Sequence, residues 1–268
     1  MLSGYNARLL CWGGLVFQRL VVFIFLVVVA VRAHGIVDVH DQYFENSEAS
    51  EFSVFGFDFS GATGTKEVRD IEILNHTVVR RDSHQWMFVG SLNFAETNSE
   101  ANEDRSFAHL RYTQKIRGAH GFELIAQHSQ DQFELLDQRI VLGAGYRYEW
   151  KPGTGDERGL LGLGVIREHE RYVDVPQEVR LWRANMYVSV AQPVSFARDA
   201  SISLSAYAQP AFTNVSDVRA IAVMIFTARL SSQLAVKFSV DYEYDSDPVA
   251  AIESVNMSFS SGLTYTFK

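Results

Sequence analysis

The chain ends on a regular alternation of apolar and polar residues. In the last fifteen residues, SVNMSFSSGLTYTFK, every second position from Val255 to Phe267 is apolar except Ser261, and the positions between them are polar or glycine. A period of two indicates a β-strand with two different faces. The pattern therefore predicts a strand that separates an apolar from a polar environment.

Similar segments fill the chain from residue 52 onward, separated by turn or polar residues, with no convincing helix between them. Two are ambiguous, because Ala220–Leu230 is apolar on both faces and Asp70–Val79 is mixed. The pattern predicts an all-β fold, an antiparallel up-and-down β-barrel of about 12 strands. The predicted strands are Phe52–Ser60, Val68–Val79, Gln85–Ala95, Arg105–Lys115, Phe122–Gln130, Arg139–Trp150, Leu160–His169, Val179–Val190, Ser201–Gln209, Arg219–Leu230, Leu234–Tyr244 and Val255–Phe267.

The connections between these segments alternate in length. SHQ, RGAH, KPGTGDE and SSQ are short, whereas ETNSEANED, DQFELLD, VDVPQE and DSDPVAAI are longer and acidic. QPVSFARD is the exception, a fairly long connection at the end of the barrel that otherwise carries the short ones. Short turns at one end and long loops at the other are typical of outer-membrane barrels, so the long connections would lie outside the cell.

Alternation alone does not show whether the apolar face meets lipid on the outside or packs in the interior. A soluble sandwich or lipocalin-like barrel also alternates, with its apolar face inward. Twelve strands enclose more room than apolar side chains easily fill, which favours lipid outside and a wet lumen. Aromatic residues at strand ends also favour a transmembrane barrel, because aromatic girdles lie at membrane interfaces. These aromatic residues are Tyr148, Trp150, Tyr242, Tyr244, Tyr265 and Phe267.

Residues 20–31 form the one long apolar run, and its twelve residues fall short of the roughly 17 to 25 that cross a bilayer as a helix. Arg8 and Arg19 precede the run and Val31-Arg32-Ala33 follows it, as in a cleaved secretory signal peptide. An uncleaved anchor is the alternative. We predict a signal peptide over residues 1–33, a periplasmic N-terminal lead over 34–51 and the barrel over 52–268.

The only cysteine, Cys11, lies in this leader, so the mature chain would have no disulfide, no Cys-ligated metal and no Cys nucleophile. The formal net charge is −8, and removal of the three arginines of residues 1–33 takes it to −11. Such an acidic protein is a poor nucleic-acid binder.

Three motifs invite a chemical interpretation. His128-Ser129 suggests a lipase-like nucleophile, but adjacent residues of a strand point to opposite faces. The same alternation places His169 opposite Glu168 and Glu170, so this triplet is predicted to be a polar loop shoulder rather than a metal site. The glycines of LGAGYRYEW and LLGLGVI precede no helix and are predicted to relieve crowding in a curved sheet. We therefore expect no catalytic, metal or cofactor site and no enzymatic activity.

The polar face carries both signs of charge. Its arginines suggest either a basic ladder that draws anions through a pore or a plug of ion pairs, and the balance of signs favours the plug. The predicted lumen-lining residues are Arg111, Glu123, Arg139, Arg147, Glu149, Arg183, Lys237, Asp241 and Glu243.

The stretches NEDRSFAHLRYTQKI and FELIAQHSQDQFELLDQRIVLGAGYRYEW and the ending SSGLTYTF resemble the family of bacterial outer-membrane proteins of unknown function that includes the salt-induced outer-membrane protein. The resemblance implies a Gram-negative outer-membrane barrel that contacts outer-membrane lipid and the barrel-assembly machinery, with Tyr265 and Phe267 as the C-terminal assembly signal. It supplies no substrate and no catalytic residues. Lys268 departs from the usual aromatic ending, which predicts slower assembly.

The sequence thus predicts an outer-membrane barrel with a charged, plugged lumen and a structural or stress-adaptive role in the envelope. A narrow channel for small solutes or anions is the alternative, and an outer-membrane lipase is a distant one.

Overall fold

A computed structural model describes residues 50–62, 68–97, 100–132, 134–150, 157–173, 178–194, 199–249 and 253–267. The predicted signal peptide, residues 34–49 of the predicted lead, residues 151–156 of the KPGTGDE connection and Lys268 lie outside these ranges. The described part of the chain holds no helix that is long and apolar enough to cross a membrane.

Twelve strands account for most of the described residues. They are β1 (Glu51–Ala62), β2 (Val68–Arg80), β3 (His84–Thr97), β4 (Glu100–Arg117), β5 (His120–Asp131), β6 (Leu136–Trp150), β7 (Arg158–Tyr172), β8 (Val179–Pro193), β9 (Ala200–Pro210), β10 (Val218–Arg229), β11 (Leu234–Asp245) and β12 (Val255–Phe267).

Each strand pairs antiparallel with the next, and β12 returns to β1. The β1–β12 seam is short, with Ser53 opposite Phe267 and Val54 opposite Thr266. The prediction of an all-β, antiparallel up-and-down barrel of twelve strands is confirmed.

The predicted strand bounds agree with the structure to within three residues except at the start of β4. There the prediction of a long loop, ETNSEANED, is wrong. The β3–β4 ladder continues through a β-bulge at Ala95 and Glu96 until Thr97 lies opposite Glu100. A bulge absorbs the extra residue without ending the ladder, so polar composition alone misplaced the end of this hairpin.

The side chains of each strand alternate between the interior of the barrel and its exterior. On β8 the buried, inward side chains are Arg183, Asn185, Tyr187 and Ser189, and the exposed, outward ones are Trp182, Met186, Val188 and Val190. The apolar face therefore points outward, as predicted, and the interior receives the charges.

Aromatic side chains on the exterior gather at both ends of the barrel. At the end that carries the short turns, Trp86 and Tyr112 pack with ring centroids 4.7 Å apart, and Tyr148 stacks on Trp150 at 6.2 Å. Exposed Tyr265 lies at the same end. Aromatic side chains at the opposite, loop end include Phe94, Trp182, Tyr242 and Tyr244.

The interior is more apolar than the sequence suggested. One buried cluster joins β7 to β10 and comprises Leu160, Tyr187, Ala191, Tyr207, Ile221, Val223 and Ile225. A second, on β1 to β3, comprises Phe52, Val54, Val78, Met87 and Val89, with Leu74 and Phe107 packed against it. The interior therefore holds apolar clusters beside the charges that the sequence predicted. The first cluster also explains the ambiguous pattern of β10, because its inward face packs into apolar surroundings.

Candidate functional site: the charged interior

A buried carboxylate organises the interior near the loop end. Glu168 on β7 is 0% exposed. Its oxygens accept hydrogen bonds from Arg139 Nε at 2.7 Å, Arg183 Nε at 2.7 Å and Arg219 Nη1 at 2.5 Å. These arginines lie on β6, β8 and β10, so one carboxylate connects four strands.

Three more carboxylates complete this group. Arg219 also donates to Glu170, and its Nε lies 2.8 Å from Asp245 Oδ2. Arg183 Nη1 donates to Asp217 Oδ1 at 2.8 Å. Three arginines thus face four carboxylates, which leaves a formal charge of −1. We call this group the Glu168 network; its members are Arg139, Glu168, Glu170, Arg183, Asp217, Arg219 and Asp245.

A second group lies nearer the turn end and is centred on Glu123 of β5. Its Oε1 accepts a hydrogen bond from the Tyr187 hydroxyl at 2.8 Å and lies 3.3 Å from Arg147 Nη1 and 3.8 Å from Arg111 Nη1. Arg147 Nη2 is 3.8 Å from Glu149. We call these five residues the Glu123 network, whose arginines and carboxylates balance to zero.

Both networks cross the bore rather than follow its wall. Tyr187 on β8 is three strands from Glu123 on β5. The guanidinium of Arg111 on β4 lies over the Tyr187 ring at 5.5 Å, four strands away. Strands that are not neighbours in a barrel meet only through its interior. Side chains therefore bridge strands three or four places apart through the interior, at two heights.

Six of the nine predicted lumen residues belong to these networks: Arg111, Glu123, Arg139, Arg147, Glu149 and Arg183. The other three, Lys237, Asp241 and Glu243, line the inward face of β11 and are only half-buried. Asp241 Oδ2 accepts a hydrogen bond from Ser239 Oγ at 3.2 Å.

The sequence interpretation missed the centre of the Glu168 network. Glu168 and Glu170 were predicted to form a polar loop shoulder, which is wrong because β7 continues to Tyr172. Both glutamates share the inward face with Leu160 and Ile166, and continued alternation from Leu160 would have indicated this. Arg219 was missed because it begins a strand whose pattern is otherwise apolar.

Two motif predictions state that adjacent side chains of a strand, His169 beside Glu168 and His128 beside Ser129, lie on opposite faces. His169 points outward, with Nε2 3.1 Å from Glu178 Oε2, and so lies opposite Glu168, as predicted. His128 Nε2 is 3.3 Å from Gln138 Nε2 on the exterior, whereas Ser129 is buried in the interior. His128 therefore cannot take a proton from Ser129. In the described ranges, no three His, Asp or Glu side chains are placed to hold a metal ion.

The interior is less filled beside β11 and β12. Here the inward side chains of β12 are small, with Ser258 and Ser260 among them, and Ser239 Oγ of β11 lies 2.8 Å from Ser260 Oγ. A Cβ built on Gly262, the next inward position of β12, would meet nothing within 4 Å. The interior therefore has open space beside β12 at Gly262.

The fold and the site together define a closed antiparallel β-barrel with an apolar exterior and an interior crossed by ion pairs. The chain belongs to the family described as protein of unknown function, DUF481, whose model matches residues 55–267. That description assigns no activity, and the narrower resemblance to the salt-induced outer-membrane protein stays a prediction. No curated protein is significantly similar to the chain.

Several solved structures resemble the chain. A structure of the NanC porin matches with 8% sequence identity and a TM-score of 0.48, over 80% of this chain and 98% of that one. The translocator domain of the autotransporter NalP from Neisseria meningitidis matches with 10% identity and a TM-score of 0.46, over 81% and 87%. A bacterial polysaccharide outer-membrane secretin matches with 7% identity and a TM-score of 0.43, over 81% and 96%. At such scores we infer no function from them.

Proposed function

We propose that this protein is an outer-membrane β-barrel whose lumen is closed by charged side chains, with a structural or stress-adaptive role in the envelope of a Gram-negative bacterium. Placement in a membrane is supported by the exterior, where apolar side chains form the outward face and aromatic side chains flank it at both ends. A closed ring also leaves few unpaired backbone groups to face hydrocarbon.

The observation that carries the proposed closed lumen is the set of contacts through the interior between strands that are not neighbours in the barrel. Arg219 on β10 reaches Glu168 and Glu170 on β7, and Tyr187 on β8 reaches Glu123 on β5. Because positive and negative groups balance almost fully within the two networks, these networks leave little net field to attract an ion of either sign.

Planar-bilayer recording of the purified protein tests the closed lumen. We expect little or no steady conductance from the wild-type chain, because the two networks occupy the bore. Swelling of liposomes that contain the protein should likewise be no faster in sugar solutions than swelling of empty liposomes. Steady wild-type current that prefers anions would contradict the plug and support the arginine ladder.

The stress-adaptive role is tested in cells. A strain without the protein should lose viability in high salt or detergent, and the wild-type chain should restore it. Restoration by a chain that carries an opened lumen would show that closure is not what protects the envelope.

A narrow channel for small solutes is the second candidate. The observation that favours it is the set of small inward side chains on β12, including the open position at Gly262. Replacement of Gly262 with leucine should then reduce any residual wild-type conductance. If the lumen is closed elsewhere, this substitution should change no current.

We expect no enzymatic activity. The lipase interpretation depended on His128 and Ser129, whose side chains lie on opposite faces of β5. An assay of phospholipid hydrolysis by the purified protein in detergent tests this expectation, and sustained release of fatty acid that depends on Ser129 would contradict it.

A further inference from the structure

A cavity of about 110 Å³ lies in the interior beside β2 to β6, near the loop end. Leu74, Phe107 and Leu136 form its apolar wall, and Ser129 contributes to its polar wall. The volume is enough for several waters or one small organic molecule. No member of the Glu168 or Glu123 network lines this cavity.

The side chain of Ser129 indicates that the cavity binds a ligand. It is 8% exposed, and its Oγ has no hydrogen-bond partner among the described residues. A buried hydroxyl without a partner costs on the order of 1–3 kcal/mol. A molecule in the cavity that both donates and accepts hydrogen bonds would remove this cost.

Two of the three charged residues of the cavity wall, Arg105 and Asp131, pair with each other. Arg105 Nε lies 2.9 Å from Asp131 Oδ2, and Asp131 Oδ1 accepts the backbone N–H of Glu134 at 3.1 Å. An ionic ligand would have to compete with these contacts. A neutral ligand would leave them intact and use the hydroxyl and amide groups of Ser129, Ser91 and Asn93 on the same wall.

We propose that this cavity binds a small neutral polyol of about the size of glycerol. One ligand hydroxyl pairs with Ser129 Oγ, and the carbon chain packs on Phe107 and Leu74. Hydroxyl groups satisfy polar walls without altering the Arg105–Asp131 pair, and C–H groups suit the apolar wall. This inference goes beyond the proposed closure of the lumen and does not depend on it, because the cavity lies outside both networks.

Protection of an introduced cysteine tests the proposal. In a Cys11→Ser background, the chain with Ser129→Cys is reacted with methyl methanethiosulfonate in the presence of glycerol, betaine or sodium acetate at equal osmolality. We expect reaction at this position and slowing by glycerol alone, about threefold when glycerol stands at about twice its Kd. Absence of reaction, or equal slowing by all three solutes, would overturn the proposal.

Ser205→Cys is the matched control. Ser205 is 1% exposed, and its Oγ also has no hydrogen-bond partner within the described ranges. Its strand neighbours, however, are Ser189 and Val223, and Val223 belongs to the buried apolar cluster of β7 to β10. It should stay unreactive with or without glycerol. If the Ser129→Cys chain does not fold, saturation-transfer NMR between the unmodified protein and glycerol decides the question: transfer that Ser129→Ala weakens supports the site, and no transfer contradicts it.

Discussion

Tyr187 on β8 lies directly over Gly162, its strand partner on β7, inside the barrel. A Cβ at position 162 would overlap the tyrosine ring. The absent side chain therefore lets the ring lie flat across β7 and extend its hydroxyl to Glu123. This glycine relieves crowding, as its sequence context predicted, and its further effect is to permit a contact that crosses the bore.

Replacement of Gly162 with alanine should displace Tyr187 and break its hydrogen bond to Glu123. Overpacking of this kind costs about 1–3 kcal/mol, so the urea midpoint in detergent should fall. Gly262→Ala is the control, since its Cβ meets nothing. Equal losses of stability in the two variants would contradict the explanation.

Replacement of both Arg111 and Arg147 with alanine should open the lumen at the Glu123 network. The change removes two large donors and leaves Glu123 and Glu149, so any current gained should favour cations. Reversal potentials in a salt gradient measure this preference. The double variant Arg171→Ala with Arg180→Ala, which removes two exposed arginines, should stay closed. Anion preference in the opened barrel would contradict the prediction.

Replacement of Glu168 with glutamine should destabilise the barrel more than any surface change. Three arginines would lose their shared carboxylate, and breaking a buried ion pair costs about 3–5 kcal/mol. The urea midpoint and the heat-dependent electrophoretic mobility report this loss. Glu178→Gln, at an exposed carboxylate paired with Arg180, should change the midpoint little. A Glu168→Gln chain as stable as the wild type would show that the network does not hold the barrel.

The sequence predicted the strands well and the contacts between them poorly. Alternation depends only on local geometry, so it located β11 and β12 nearly to the residue. The partner of a lumen arginine depends on which strands face each other across the ring. Arg139 and Arg183 therefore could be placed on the polar face, but their link through Glu168 could not. Interior packing also left the orientation of β10 ambiguous, because its inward face is apolar like its outward face.

The C-terminal aromatic residues are predicted to act during assembly rather than in the finished barrel. Replacement of Tyr265 with alanine should slow insertion into membranes that contain the assembly machinery, and should change the free energy of unfolding by less than about 1 kcal/mol, because the side chain is exposed. Time courses of heat-modifiable protein measure insertion. Tyr242→Ala, at an exposed tyrosine near the opposite end, should insert at the wild-type rate. Equal slowing by both substitutions would contradict a specific signal.

A pH-dependent contribution to stability should come from the connection between β5 and β6. Burial, with the neighbouring Asp131 carboxylate, raises the pKa of Glu134 from 4.5 to about 7. The folded chain therefore holds this proton more tightly than the unfolded chain does, and the free energy of unfolding should fall as pH rises from about 4.5 through about 7. We expect a loss on the order of 1–3 kcal/mol from this group.

Urea midpoints at pH 5 and pH 8 measure this effect. Glu134→Gln stays neutral at both values, so its midpoint should fall less between them than that of the wild type. Glu178→Gln should keep the wild-type fall, because its partner Arg180 lowers the pKa of Glu178 and leaves that carboxylate ionised over the whole interval. If the Glu134→Gln chain loses as much stability between pH 5 and pH 8 as the wild type, the titrating group lies elsewhere and the burial of Glu134 does not govern the response.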